Sequence, residues 1–181
     1  MGEPVSHLLE QWEGMGFYRH ASPQQISELK HEARATGYLF GGDAVARDYD
    51  ADAEDLAEGG VQDFLERIGL FLAEQGVQIT TVAQEFTDTG YTMTINGRVY
   101  TLYTEEELAS EGMAELWELT TARTFALVNI LLAEAGSKER VFGVYGGHDN
   151  RAVFLTDDMY AALRQSGVLP PQEMPIPMPG A

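Results

Sequence analysis

The spacing of apolar residues changes twice along the chain and sorts it into helices and strands. Val61, Phe64, Leu65, Ile68 and Leu72 recur at the helical period, giving a helix one apolar face, and Gly76 stops it. The period then shortens. Residues 77–86 are β-branched and strand-like, Tyr91, Met93 and Ile95 alternate with Thr92, Thr94 and Asn96, and 99–103 is again β-rich. Asn96-Gly97 supplies the positive φ angles of a two-residue type I′ turn, so three consecutive antiparallel strands are predicted. Thr104 and Glu107 form a capping box, with Glu105 and Glu106 adding negative charge at the positive end of a helix dipole. Gly112 breaks that helix before a long one over 113–135, which Gly136 ends. A second hairpin pairs 141–145 with 152–155 around the polar turn 146–150. Thr156 caps a last helix that opens with Asp157 and Asp158 and stops at Gly167.

Upstream, Ser22-Pro23-Gln24-Gln25 combines an N-cap serine, proline at the first helical position and a glutamine that closes a capping box, which predicts a helix over 23–35 ended by Gly37. Residues 41–60, rich in Gly, Ala and Asp, read as a loop with at most a weak helical turn. Pro170, Pro171, Pro175, Pro177 and Pro179 predict an extended, polyproline-like end, because each lacks an amide donor and has a fixed φ. The fold class is therefore α+β, an antiparallel sheet with helices in the order α-β-β-β-α-β-β-α plus an extra N-terminal helix. Three regions are expected: an N-terminal extension over 1–60 with one helix and an acidic loop, an α+β domain over 61–167, and a proline-rich tail over 168–181.

Composition narrows the partners. Of 181 residues, 29 are acidic and 11 basic, a formal charge of −18. That charge opposes phosphate backbones, where affinity comes from Lys and Arg displacing counterions, and favours basic partners. With no cysteine, disulfide frameworks, zinc ribbons and thiol nucleophiles are excluded together. The longest apolar stretch, around 125–133, falls far short of the ~20 residues a membrane span needs, and no basic start followed by an apolar run marks an export signal. No membrane partner and a cytoplasmic location are expected. Two lysines against nine arginines, with abundant Ala and Gly, suit a GC-rich bacterial genome.

Candidate chemistry does not assemble. His31-Glu32 begins a helical zinc-hydrolase pattern, but its second ligand position is Ala35. Asp48, Asp50 and Asp52 resemble the start of an EF-hand loop, yet Ala53 stands where the turn glycine belongs and Gly59 where the closing glutamate belongs. Asp43, Asp48, Asp50, Asp52, Glu54, Asp55 and Glu58 read instead as a solvated acidic loop, with weak divalent-ion attraction the alternative. Gly146-Gly147 precedes a strand rather than the helix N-terminus that a phosphate cradle requires. His148, Asp149 and Arg151 share one turn and form the one candidate acid–base cluster. No catalytic residue, metal ligand or cofactor is assigned.

The segment Phe125 to Ala133 is apolar on nearly every side, so a second surface must cover it. The expected covers are the N-terminal helix or a second copy in a two-fold dimer. Trp117, Phe125, Val128, Asn129 and Leu132 are the candidate partner or dimer surface, Asn129 fixing the register. The order of elements, the Asn96-Gly97 hairpin, the long helix from Trp117 to Ala133 and the helix after Thr156 resemble the class I type III secretion chaperones and the related YbjN-like proteins, over about Val61 to Gly167. That resemblance implies a homodimer without a catalytic site that binds extended or partly unfolded segments of another protein. It supplies no individual site residue. The leading expectation is a non-enzymatic, chaperone-like protein-binding module for a basic partner, such as a nucleic-acid-handling protein. An acidic immunity or DNA-mimic protein and an enzyme built on the His148, Asp149 and Arg151 turn are the alternatives.

Overall fold

Why a long helix can be apolar all round is answered by what lies on either side of it. The structure, a computed structural model, describes residues 2–41, 45–146 and 149–178. In chain order its elements begin with α1 (Gly2–Gly14), α2 (Pro23–Thr36), β1 (Asp48–Asp50), α3 (Ala53–Asp55), a π turn (Leu56–Gly60), α4 (Val61–Arg67) and α5 (Gly69–Glu74). Then come β2 (Val82–Thr87), β3 (Gly90–Ile95), β4 (Arg98–Thr104), α6 (Glu105–Ser110) and α7 (Met113–Glu134). The chain continues through β5 (Glu139–Gly146), β6 (Asp149–Thr156), α8 (Asp157–Ser166), a 3-10 turn (Pro171–Glu173) and β7 (Ile176–Pro177). The fold is α+β with antiparallel pairing throughout, and the strands form two sheets, ordered β1-β6-β5-β7 and β2-β3-β4. Helix α7 packs on β4 of one sheet and β5 of the other.

The two-residue period of the strands decides which core each side chain enters. In β5 and β6, Val141, Ala152 and Phe154 face α4, α5, α7 and the second sheet, whose Tyr91, Met93, Ile95 and Leu102 point back at them. The alternate residues Phe142, Val153 and Leu155 face the opposite way, onto α1, α2 and α8. Asn96 and Gly97 hold φ values of 51° and 82°, the turn predicted between β3 and β4.

Several expectations give way. Phe125, Val128, Asn129 and Leu132 are buried inside the single chain, because two sheets cover α7 from opposite sides. They offer no surface to a partner. Asn129 satisfies a backbone neighbour rather than a second copy: its Oδ1 accepts from Val141 N at 2.8 Å and its Nδ2 donates to Val141 O at 3.3 Å. Residues 1–60 hold two long helices where one was expected, since Val5, Leu8, Leu9 and Trp12 line a buried face of α1. They also supply Ala51 and Leu56 to one core and Trp12, Phe17 and Phe40 to the other, so the boundary placed at 60 separates no core. The helix over 61–72 breaks at Ile68 into α4 and α5. Instead of one solvated acidic loop, the 41–60 stretch contains β1, α3 and the π turn; Asp43 lies outside the described residues. The tail is not extended throughout: Pro171–Glu173 form a 3-10 turn, Ile176 and Pro177 pair with Gly143 and Phe142 of β5, and Pro179 lies outside the described residues.

A buried ion pair joins these parts. Arg47, fully enclosed, makes two bonds of 2.7 Å to the Glu139 carboxylate, and Glu139 also accepts from Arg19 at 2.6 Å. Arg47 donates further to the carbonyls of Phe17 (2.9 Å) and Phe154 (3.1 Å). Removing Arg47 leaves the interior Glu139 carboxylate with Arg19 alone, so Arg47→Met should lower the unfolding free energy by about 3–5 kcal/mol in urea titrations. Leu132→Ala should cost about 2–5 kcal/mol with the mass in light scattering unchanged, as a core cavity does and an interface truncation does not.

Candidate functional site

Among the described residues β2 and β4 each pair with β3 alone, and β2 is the more exposed of these two edges. On the first sheet β5 is paired by β7 and β1 is only three residues long. On the second, Arg123 from α7 donates to the Leu102 carbonyl of β4 at 3.1 Å. Strand β2 pairs with β3 alone, and residues 83–87 are all exposed. Its register puts Val82, Gln84 and Phe86 opposite Ile95, Met93 and Tyr91 on the inner face, and Ala83, Glu85 and Thr87 opposite Thr94, Thr92 and Gly90 on the outer one. Phe86 stays about half exposed at 48%, although its ring meets Tyr91 edge-on at 5.3 Å.

Two hollows reach this strand, and a third lies in the neighbouring π turn. At the Val82 end, a cleft of about 470 Å³ is walled by Leu65, Leu72, Val77 and Ile79, with Glu66 also in its lining. At the Phe86 end, a second apolar cleft of about 450 Å³ is lined by Leu108, Met113, Leu116 and Trp117, with Glu58 and Asp88. A polar hollow of about 320 Å³, formed by the π turn and the residues on either side of it, gathers Asp55, Glu58 and Asp63 around Gly59 and Gly60, with Arg67 as its single cation. Gly59 sits at φ 100°, and a β-carbon there would lie 3.6 Å from the Phe86 ring. One on Gly60 would fall 2.6 Å from the Asp55 carbonyl oxygen, a clash that only glycine avoids.

Hydrogen bonds fix the floor of this surface. Tyr91 donates its hydroxyl to Gln84 Oε1 at 2.8 Å and accepts from Val61 N at 3.3 Å, tying β2 and β3 to the start of α4. Burial pushes the Tyr91 phenol up to about 12, so it stays a neutral donor. The wall beside Leu108 is held by Glu107, which closes the predicted capping box on Thr104 and binds Arg123 through both oxygens at 2.7 and 2.8 Å. Hydrogen bonding to that guanidinium lowers the Glu107 carboxyl from its ordinary 4.5 to about 2.

The sequence candidates lie elsewhere or do other work. Trp117 is half-buried in the second apolar cleft, the one member of the expected partner surface that reaches this site. Asp48 is enclosed and accepts from Tyr38 and from Arg151 Nε at 2.6 Å, whereas Asp52 caps α3 by accepting from Asp55 N at 2.9 Å. Asp48 and Asp50 share the Arg151 guanidinium, at 2.6 and 4.0 Å, and no group of three potential metal ligands occurs among the described residues. His148 lies outside the described residues, and Arg151, its proposed partner, is bound to Asp48. Among the described residues no helix is long and apolar enough to cross a membrane. Sequence reading missed β2 as a site, although Glu85 and Phe86 in one short strand marked both its faces as exposed.

No protein-family model matches the chain, and no curated protein or solved structure does. What the described surface offers is an exposed strand edge along β2, two apolar clefts and a polar hollow rich in carboxylates. Because the Glu107 carboxyl is depressed, its contribution to stability is complete above about 4.5 and is lost as pH falls towards about 2. Glu107→Gln should remove that part of the acid dependence, read as a flatter profile of unfolding midpoint against pH across this window.

Proposed function

We propose that this protein is a non-enzymatic, chaperone-like binding module that holds an extended segment of a basic partner protein along β2. The observation that carries the reading is an open strand edge flanked by apolar hollows and carboxylates. Strand addition satisfies the backbone of the incoming segment, and alternate side chains enter pockets that select it. Binding of extended segments is also what the resemblance to secretion chaperones implies.

Charge selects the occupant. Two copies could pair antiparallel about Gln84, which sets Val82 against Phe86 across the junction. Such a pair would also crowd Glu58, Asp63, Glu66, Glu85 and Asp88 from both copies together, on molecules carrying −18 each. A basic segment turns the same carboxylates into attraction and faster encounter. Phe125, Val128, Asn129 and Leu132, expected at a dimer surface, are buried within one chain and do not support that dimer.

A second reading, the immunity or DNA-mimic protein, is favoured by one feature: Asp55, Asp63 and Glu66 stand on helices rather than on a flexible loop. Under it, the partner's DNA would displace this protein, and substitutions in the apolar clefts would leave binding unchanged.

Titrating an unstructured cationic peptide into the protein at low salt should produce saturable amide shifts centred on 82–87. Glu85→Lys should weaken that binding about tenfold, with a further loss on adding salt. Shifts confined to other surfaces, or indifference to the charge reversal, would remove the proposal.

A further inference from the structure

The cleft beside Phe86 differs from the other hollows in what lines it, and we infer that it binds an organic cation, an ammonium or guanidinium group carried on an apolar stem. Its lining comes from the π turn, the end of β2 and the turn after it, β4, α6 and α7, so its occupancy requires no strand added to β2. Three aromatic residues, Phe86, Tyr103 and Trp117, meet there with Met113. Phe86 and Met113 are left 48% and 58% exposed, apolar surface open to solvent in a concavity. Two carboxylates, Glu58 and Asp88, share the lining, and among the described residues no basic side chain does. By contrast, the polar hollow contains Arg67, and the cleft at Val82 is lined by no aromatic residue.

The faces of aromatic rings carry negative potential and attract ammonium and guanidinium groups, more strongly where water is excluded. A thioether adapts its shape to an apolar stem. The carboxylates supply a full charge that rings alone lack, and the charge of Glu58 reaches the wall of the cleft. There the Tyr103 hydroxyl donates to the Ala57 carbonyl at 3.3 Å, and the phenol is raised first by burial and then by the Glu58 carboxylate. Glu105, Glu106, Glu111, Glu115 and Glu118 are all exposed along α6 and α7, the second of which supplies Met113 and Trp117. The chain has no basic residue between Arg98 and Arg123, and Arg123 is held by Glu107. This field repels an anion, and a neutral apolar group gains nothing from it. At about 450 Å³, the cleft has the size of a small-molecule site.

Tryptophan fluorescence of the full chain tests the site. Trp12 is fully enclosed in the other core, so Trp117 is the tryptophan whose emission a ligand in this cleft changes. Choline should shift that emission saturably, and its uncharged tert-butyl counterpart dimethylbutanol should bind about tenfold more weakly. A Glu58→Gln, Asp88→Asn double variant, altered at two exposed carboxylates, should erase most of that difference, with circular dichroism checking its fold. N-acetylarginine amide separates the sources of such a group: tighter binding than choline assigns it to a side chain of a partner protein, weaker binding to a free amine. Equal binding of choline and dimethylbutanol, an unchanged difference in the double variant, or no response of Trp117 to any probe would overturn the site. Amides of residues 83–85, outside this lining, report strand addition separately, so either reading can fail alone.

Discussion

The enclosed guanidinium of Arg47 is the point through which both cores are connected. Its carbon lies 5.6 Å from the Phe17 ring in one core and 5.7 Å from the Phe71 ring in the other. In the plane between those rings its nitrogens reach Glu139, at the start of β5, and carbonyls from the α1–α2 connection and from β6. The Arg47 carbonyl in turn accepts from Phe154 N at 2.8 Å. A charge so placed is costly to desolvate and is retained only with nearly all its donors satisfied. The preceding Ala46 holds a positive φ of 53°, a conformation worth about 1–3 kcal/mol of strain that the buried pair offsets. The N-terminal helices are thus fastened to the sheet by one side chain from a segment that looks, in sequence, like a solvated loop.

With α1, α2 and α8 on one face of the first sheet and α7 on the other, that sheet has no free face, and its edges are a short strand and a proline-bearing one. The second sheet has the opposite character. Its inner face meets α7, and its outer face carries Ala83, Glu85, Thr92, Thr94, Val99 and Thr101 towards solvent. Small and β-branched polar residues tolerate that exposure. The exposed strand edge thereby falls to one half of the molecule, while the other half is covered on both faces of its sheet.

The strands and capped helices were legible because their rules are local. Thr104 with Glu107, Ser22 with Gln25, and Asn96-Gly97 each specify a few backbone groups and recur in the structure as read. Residues 125–133 announced double coverage, yet the identity of the covers depended on contacts between elements distant in sequence, and a second sheet served where a second copy was expected. Arg47 and Asp48 misled for the same reason. Their partners Glu139 and Arg151 lie about a hundred positions away, and nothing local distinguishes a buried charge from a solvated one. The β2 surface was half legible: Glu85 and Phe86 were visible in the strand, but the hollows beside them arise only when the π turn and the front of α7 are brought alongside.

Gly59 and Gly60 give that surface an uneven tolerance to change. The carboxylates of the acidic hollow are carried by side chains that reach into water, whereas the hollow itself is shaped by a backbone that passes too close to Asp55 for any β-carbon at position 60. Exchanging Asp55, Glu58 or Asp63 one at a time would lower the negative charge of the hollow without disturbing the bend. A single methyl group on Gly60 would deform the bend itself. The charge of this hollow can therefore change by small steps, while its shape depends on glycine at position 60.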